Sequence, residues 1–121
     1  MTFLARATAI VALALPLGTP AMAESFRAVT KKAEFVDLVS GRQLTRFGIR
    51  LSVSPGGTIN GSAFGQDVRG AWNWQGGFFC RDLAYGNTSL EPNCQQVLVR
   101  GDTVRFIADQ GKGDSADLRL R

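Results

Sequence analysis

A chain of 121 residues with two tryptophans, two cysteines and no histidine has room for one modest domain and excludes imidazole chemistry. Fourteen basic side chains against ten acidic give a net charge of +4, with the signs interspersed and no polybasic run. That distribution excludes the clustered basic stripe of a dedicated nucleic-acid binder.

The chain opens as an export leader. "MTFLAR" supplies a positive start through Arg6, "ATAIVALALPL" is an apolar stretch, and Ala21-Met22-Ala23 forms a small-x-small cleavage pattern. The apolar stretch falls well short of the ~20 residues that a membrane-spanning helix requires. The residue after the cut is Glu24 rather than cysteine, so no lipid anchor is expected. The sequence thus predicts residues 1–23 as a cleaved signal peptide and residues 24–121 as a single β-rich domain in the periplasm or secreted, without stable membrane insertion. Loss of Arg6 leaves 13 basic and 10 acidic side chains, a net charge of +3.

The segment "SFRAVTKKAEFVDLVSG" predicts the one helix, with Thr30 as cap, Phe35, Leu38 and Val39 at helical spacing, and Gly41 as the stop. So short a helix cannot stand alone, and its apolar side is expected on a sheet. Beyond Gly41 the pattern changes to short alternating runs between glycine-rich turns. Ile49, Leu51 and Val53 alternate with Arg50, Ser52 and Ser54, and "SPGGT" turns the chain into "TINGSA". In "DVRGAWNW", Val68, Trp72 and Trp74 share one face and Arg69 and Asn73 the other, which predicts core tryptophans rather than a sugar or peptide platform. Gln75-Gly76-Gly77 leads into "FFCRDLAY", and "GNTSLEPN" into "CQQVLVR".

The turn at Gly101-Asp102 places Val99 opposite Val104 and Val97 opposite Phe106, all on one face. The same arithmetic with Cys80 opposite Cys94 predicts a loop of about five residues around Asn87 to Ser89. Two cysteines in an exported domain predict one disulfide, Cys80–Cys94, whose closed loop is worth roughly 3 kcal/mol by chain entropy. The fold expected is mainly β: an antiparallel meander of about seven or eight strands, a curled sheet or small barrel, with one short N-terminal helix.

Chemistry-bearing motifs are sparse. Gly111-Lys112-Gly113-Asp114-Ser115-Ala116 matches a dinucleotide fingerprint formally, but only five residues follow and no helix can. Arg100-Gly101-Asp102 and the acceptor tripeptides at Asn60 and Asn87 are explained as turn chemistry. No Ser-His or Cys-His pair exists, two thiols alone make a poor metal site, and the carboxylates at Asp82, Glu91, Asp102, Asp109, Asp114 and Asp117 fall in turns or at strand ends. Neither catalytic residue, cofactor nor metal is expected. The candidate binding residues are Arg50, Arg69 and Arg105, each on the polar side of an alternating strand, where guanidinium groups suit carboxylates and phosphates. The expected function is a small non-enzymatic periplasmic binding module. Its partner is expected to be an acidic periplasmic protein or an anionic envelope polymer. The alternatives are an inhibitor of a hydrolase or a structural component of the envelope.

The succession "LVSGRQLT", "GIRLSVSPGGTINGSAFG", "GAWNW", "GFFCR", "NCQQV" and "GDTVRFIADQGKGDSADLRLR" resembles a group of small exported proteins of alphaproteobacteria, over nearly the whole mature chain. Some of that group are labelled dihydrodipicolinate reductase, a family of two-domain, nucleotide-dependent enzymes with an N-terminal glycine fingerprint and a catalytic histidine. Here a leader stands where the fingerprint belongs, histidine is missing, and the length is short of two domains. The resemblance therefore implies export and fold, and carries over no site residue.

Overall fold

The computed structural model describes residues 25–121. The leader at residues 1–23 and the cleavage point before Glu24 lie outside the described residues. In chain order the elements are β1 (Arg27–Val29), α1 (Lys32–Val39), β2 (Leu44–Arg46), β3 (Ile49–Val53), β4 (Thr58–Ala63), β5 (Gln66–Gln75), β6 (Phe78–Tyr85), β7 (Thr88–Arg100), β8 (Thr103–Ile107) and β9 (Ser115–Leu120). Every strand from β2 to β9 pairs antiparallel with its successor, and β9 pairs back with β2, closing an eight-stranded barrel.

The ninth strand is an addition. β7 is 13 residues long, and Val97 is paired with both Val29 and Phe106. β8 takes one edge of β7, while β6 and then β1 occupy the other in tandem. A strand thus precedes the expected helix within the same segment, and the helix starts one residue later than a Thr30 cap implies. Lys31 rather than Thr30 precedes it, with no side-chain cap. The meander was expected to begin at Ile49, and the three-residue β2 before it completes the ring.

Period-two alternation sets the interior. Leu44, Val53, Ile59, Val68, Trp72, Phe79, Val97, Val99, Val104, Phe106, Leu118 and Leu120 are buried, together with Phe35 and Val39 of α1. Phe35 is 0% exposed and meets the rings of Trp72, Trp74, Phe79 and Phe106 at centroid distances of 5.3, 5.2, 5.0 and 6.4 Å. These rings line the barrel end formed by the β3–β4, β5–β6 and β7–β8 turns, and α1 plugs it. The tryptophans are core residues, as their shared face predicts, and their indole N–H groups donate to Ser54 O at 2.8 Å and Thr30 O at 3.1 Å. Gly70 lies where a Cβ would collide with the Asp82 carbonyl, so glycine lets β5 and β6 approach at this corner.

The β7–β8 hairpin has the expected register, Val97 opposite Phe106 and Val99 opposite Val104. The β6–β7 hairpin does not have the expected loop. Tyr85 faces Thr88 across the two-residue turn Gly86-Asn87, and a register shift between Arg81 and Leu83 supplies the extra residue. The bulge falls opposite Asp82, at Glu91 and Pro92, where a residue without an N–H costs the ladder nothing. Cys80 and Cys94 face each other across this hairpin and are disulfide-bonded on the outer wall.

Candidate functional site

The end opposite α1 is built from the β2–β3, β4–β5, β6–β7 and β8–β9 connections, and it is open. Phe47 is 94% exposed, Phe64 67% and Leu90 40%, and these are all the exposed large hydrophobic side chains among the described residues. Phe47 stands in the β2–β3 turn, Phe64 in the β4–β5 turn, and Leu90 near the start of β7, all at this end; Phe64 and Leu90 rim the opening, while Phe47 lies over the outer wall beside Thr45, Asp117 and Arg119. Single exposed apolar residues are ordinary on protein surfaces, but a cluster around a cavity is not.

Beneath the rim lies a cavity of about 230 Å³ whose wall includes Ile49, Leu51, Ala63, Val68, Leu83 and Tyr85. Leu51 and Leu83 also border a deeper space of about 140 Å³ that runs to Phe79 and Phe106, directly above the Phe35 plug. Eight strands give an interior that side chains can fill or that can hold one small ligand. Here the α1 half is filled and the other half is not.

Backbone geometry at this end is unusual as well. The non-glycine residues with positive φ among the described residues are Phe64 at 51°, Asp109 at 55° and Gln110 at 57°, and all three lie in connections at the open end. The β8–β9 connection, expected as a glycine-rich loop, holds a helical turn at Ala108–Gly111 made irregular by these dihedrals. It is tied down by Asn93, whose Nδ2 donates to Asp109 Oδ1 at 2.7 Å and whose Oδ1 accepts from the Asp109 N–H at 2.9 Å. Off-region dihedrals persist where surrounding contacts enforce them, and they cluster at functional sites.

The deeper space contains one charged side chain, Arg81, beside Gln95. Arg81 pairs with Trp72 on β5 and lies between Phe79 and Leu83 on β6, so alternation turns it inward. Its Nη1 donates to Glu91 O in the bulge at 2.8 Å. Burial lowers the guanidinium pKa below the ordinary arginine value, because desolvation disfavours the charged form, while neighbouring Asp82 works in the opposite direction.

Of the three arginines expected to form one binding face, Arg50 and Arg69 flank β4, opposite Ser62 and Asn60, while Arg105 lies apart from both. All point outward, Arg50 from β3, Arg69 from β5 and Arg105 from β8. In the closed ring β9 and β2 separate β8 from β3, and β6 and β7 separate it from β5. Arg69 donates to Gly86 O, and Arg105 forms two hydrogen bonds to the Asp117 carboxylate, at 2.7 and 3.0 Å, while its guanidinium lies 4.0 Å from the Phe26 ring centre. The Arg105 hydrogen bond holds the Asp117 carboxyl below the usual carboxylate range. A wider groove of about 300 Å³ runs beside the disulfide on the outer wall, but the carboxylate it offers, Asp82, already accepts from the Ala71 N–H.

No family model, curated protein or solved structure matches this chain. The site must therefore be judged on its own chemistry. Sequence reasoning missed Arg81, although a signal was present: it occupies the middle of Phe79-Arg81-Leu83, the inward register of β6. The rim was missed because nothing local to Phe64 or Leu90 says that the two meet.

Proposed function

We propose that this protein is an exported, non-enzymatic binding module that takes a small apolar ligand into the open end of its barrel. The observation that carries this reading is the pairing of exposed Phe64 and Leu90 at the mouth of the apolar cavity of about 230 Å³. Exposed aromatic surface is costly unless something covers it, and a β-barrel mouth is a common place for a small-molecule site. At about 230 Å³ the cavity falls below the roughly 300–1,000 Å³ usual for ligand pockets, which suits a slender ligand. Periplasmic residence belongs to the same reading. Its supports are the leader pattern and a disulfide, which persists in oxidising compartments, and no described helix is long and apolar enough to cross a membrane.

Titration with the neutral fluorescent probe N-phenyl-1-naphthylamine tests the site. Saturable enhancement at one probe per chain is expected, and it is lost in Ala63→Phe, which places a ring in the cavity wall at the cost of ~1–3 kcal/mol of stability. Absence of enhancement, or enhancement unchanged in a folded Ala63→Phe protein, overturns the assignment.

A further inference from the structure

The half-buried cation inside this barrel makes no direct ion pair among the described residues, and Asp82 acts on it only through space. Three ion pairs are formed, Arg27–Glu34, Arg42–Asp102 and Arg105–Asp117, and none involves Arg81. Of the five N–H donors on its guanidinium, one is used, by the Glu91 carbonyl. Gln95 borders the same space, and its side chain has no hydrogen-bond partner among the described residues. No fully buried side-chain polar atom is left unpaired, so these free donors face space that a ligand or water can enter. Removing a guanidinium from bulk water without a directly bonded anion is unfavourable, and Arg81 sits among Leu51, Leu83, Phe79 and Phe106.

We propose that the ligand of this barrel is a single-chain amphiphile whose anionic head seats against Arg81, with Gln95 as second donor. Its apolar chain runs along Leu51, Leu83 and Val68 to the rim at Phe64. This rests on the reading of the open end as a site for a small apolar ligand. The planar fork of a guanidinium matches two oxygens of one acidic group, so a fatty carboxylate is the simplest molecule of the class. The walls between Arg81 and the opening are apolar throughout the upper cavity, where Tyr85 supplies the one polar side-chain atom. A short polar ligand would leave those walls uncovered, and an uncharged chain would leave Arg81 without a direct ion-pair partner.

The experiment compares dodecanoate with dodecanol as competitors for N-phenyl-1-naphthylamine, at pH 8 and below micellar concentration. Wild type is expected to bind dodecanoate roughly tenfold more tightly than dodecanol, as one charged hydrogen-bonded contact implies. In Arg81→Gln, which keeps an amide donor near Glu91 O, the two affinities should converge, chiefly through loss of dodecanoate binding. Arg81→Lys, which keeps the charge but not the fork, should retain part of the preference. Equal affinities in wild type, with stability lost in Arg81→Gln, would make Arg81 a clamp on the β6–β7 bulge and overturn the head-group assignment while leaving the apolar site standing. A preference that survives Arg81→Gln would place the anion on the outer arginines and overturn it too. Binding of neither competitor nor probe would remove the apolar site itself.

Discussion

Position 64 is the first place of a two-residue turn between Ala63 and Gln66, with φ of 51° there and 79° at Gly65. That pair of left-handed residues is the usual place for Asn-Gly, and a bulky aromatic side chain is an outlier in it. The Phe64 ring rests over Gly48, where a Cβ would collide with it, and the Phe64 N–H donates to Gly48 O at 2.7 Å. Little burial offsets the strain, because the ring is 67% exposed. Phe64→Asn is therefore expected to raise stability by about 1 kcal/mol, read by urea denaturation, while weakening N-phenyl-1-naphthylamine binding. A fall in stability would mean that the contact over Gly48 outweighs the strained backbone. Alternation correctly turns Arg50, Arg69 and Arg105 outward and Arg81 inward, yet it is silent on azimuth. Closure of the sheet carries β8 away from β3 and β5, which is why Arg105 parts from Arg50 and Arg69.

Among the elements, the most local was the most legible. The β7–β8 hairpin follows from Gly101, whose φ of 55° suits the tight turn, and from matched valines on either side. The β6–β7 hairpin needed knowledge of the bulge at Glu91 and Pro92, which shifts register without any change in hydrophobic pattern. Arg27–Val29, ahead of the expected cap at Thr30, became a strand because the end of β7 offers an unpaired edge beyond β6, a tertiary opportunity invisible in local propensity. Helix α1 has only eight residues and lacks a side-chain N-cap, so its hold on the barrel depends on what it buries. Phe35 touches four rings from β5, β6 and β8, whereas Leu38 is only partly buried against the same core. Phe35→Ala is expected to cost ~3–5 kcal/mol, a large share of the roughly 5–15 kcal/mol available to a small domain. Leu38→Ala should cost clearly less, and equal losses in urea denaturation would contradict the role of Phe35 as plug.

For the whole molecule, closure depends on two short edges that lie far apart in the sequence. Leu44 pairs with Leu120, and Gln43 and Arg121 exchange backbone hydrogen bonds of 2.9 Å in both directions, so the last residues seal the ring begun at β2. Such pairings over 70 residues or more make the barrel costly to assemble, because loop-closure entropy is spent before they form. The disulfide acts on that same cost by restricting the unfolded chain between residues 80 and 94, by roughly 3 kcal/mol for a loop of this size. Its position on the outer wall, opposite Asn73 and away from Phe79, separates that stabilising role from the cavity. Two consequences can be read from one preparation of exported protein. Its intact mass should equal residues 24–121 less two hydrogens, and alkylation without reductant should add nothing. Conversion of both Cys80 and Cys94 to Ala should then lower stability by about 3 kcal/mol and leave N-phenyl-1-naphthylamine affinity in the folded fraction as it was. A mass that retains Met1, or free thiols in fresh material, would contradict export with oxidation, and a loss of affinity in the folded double variant would tie the clip to the site.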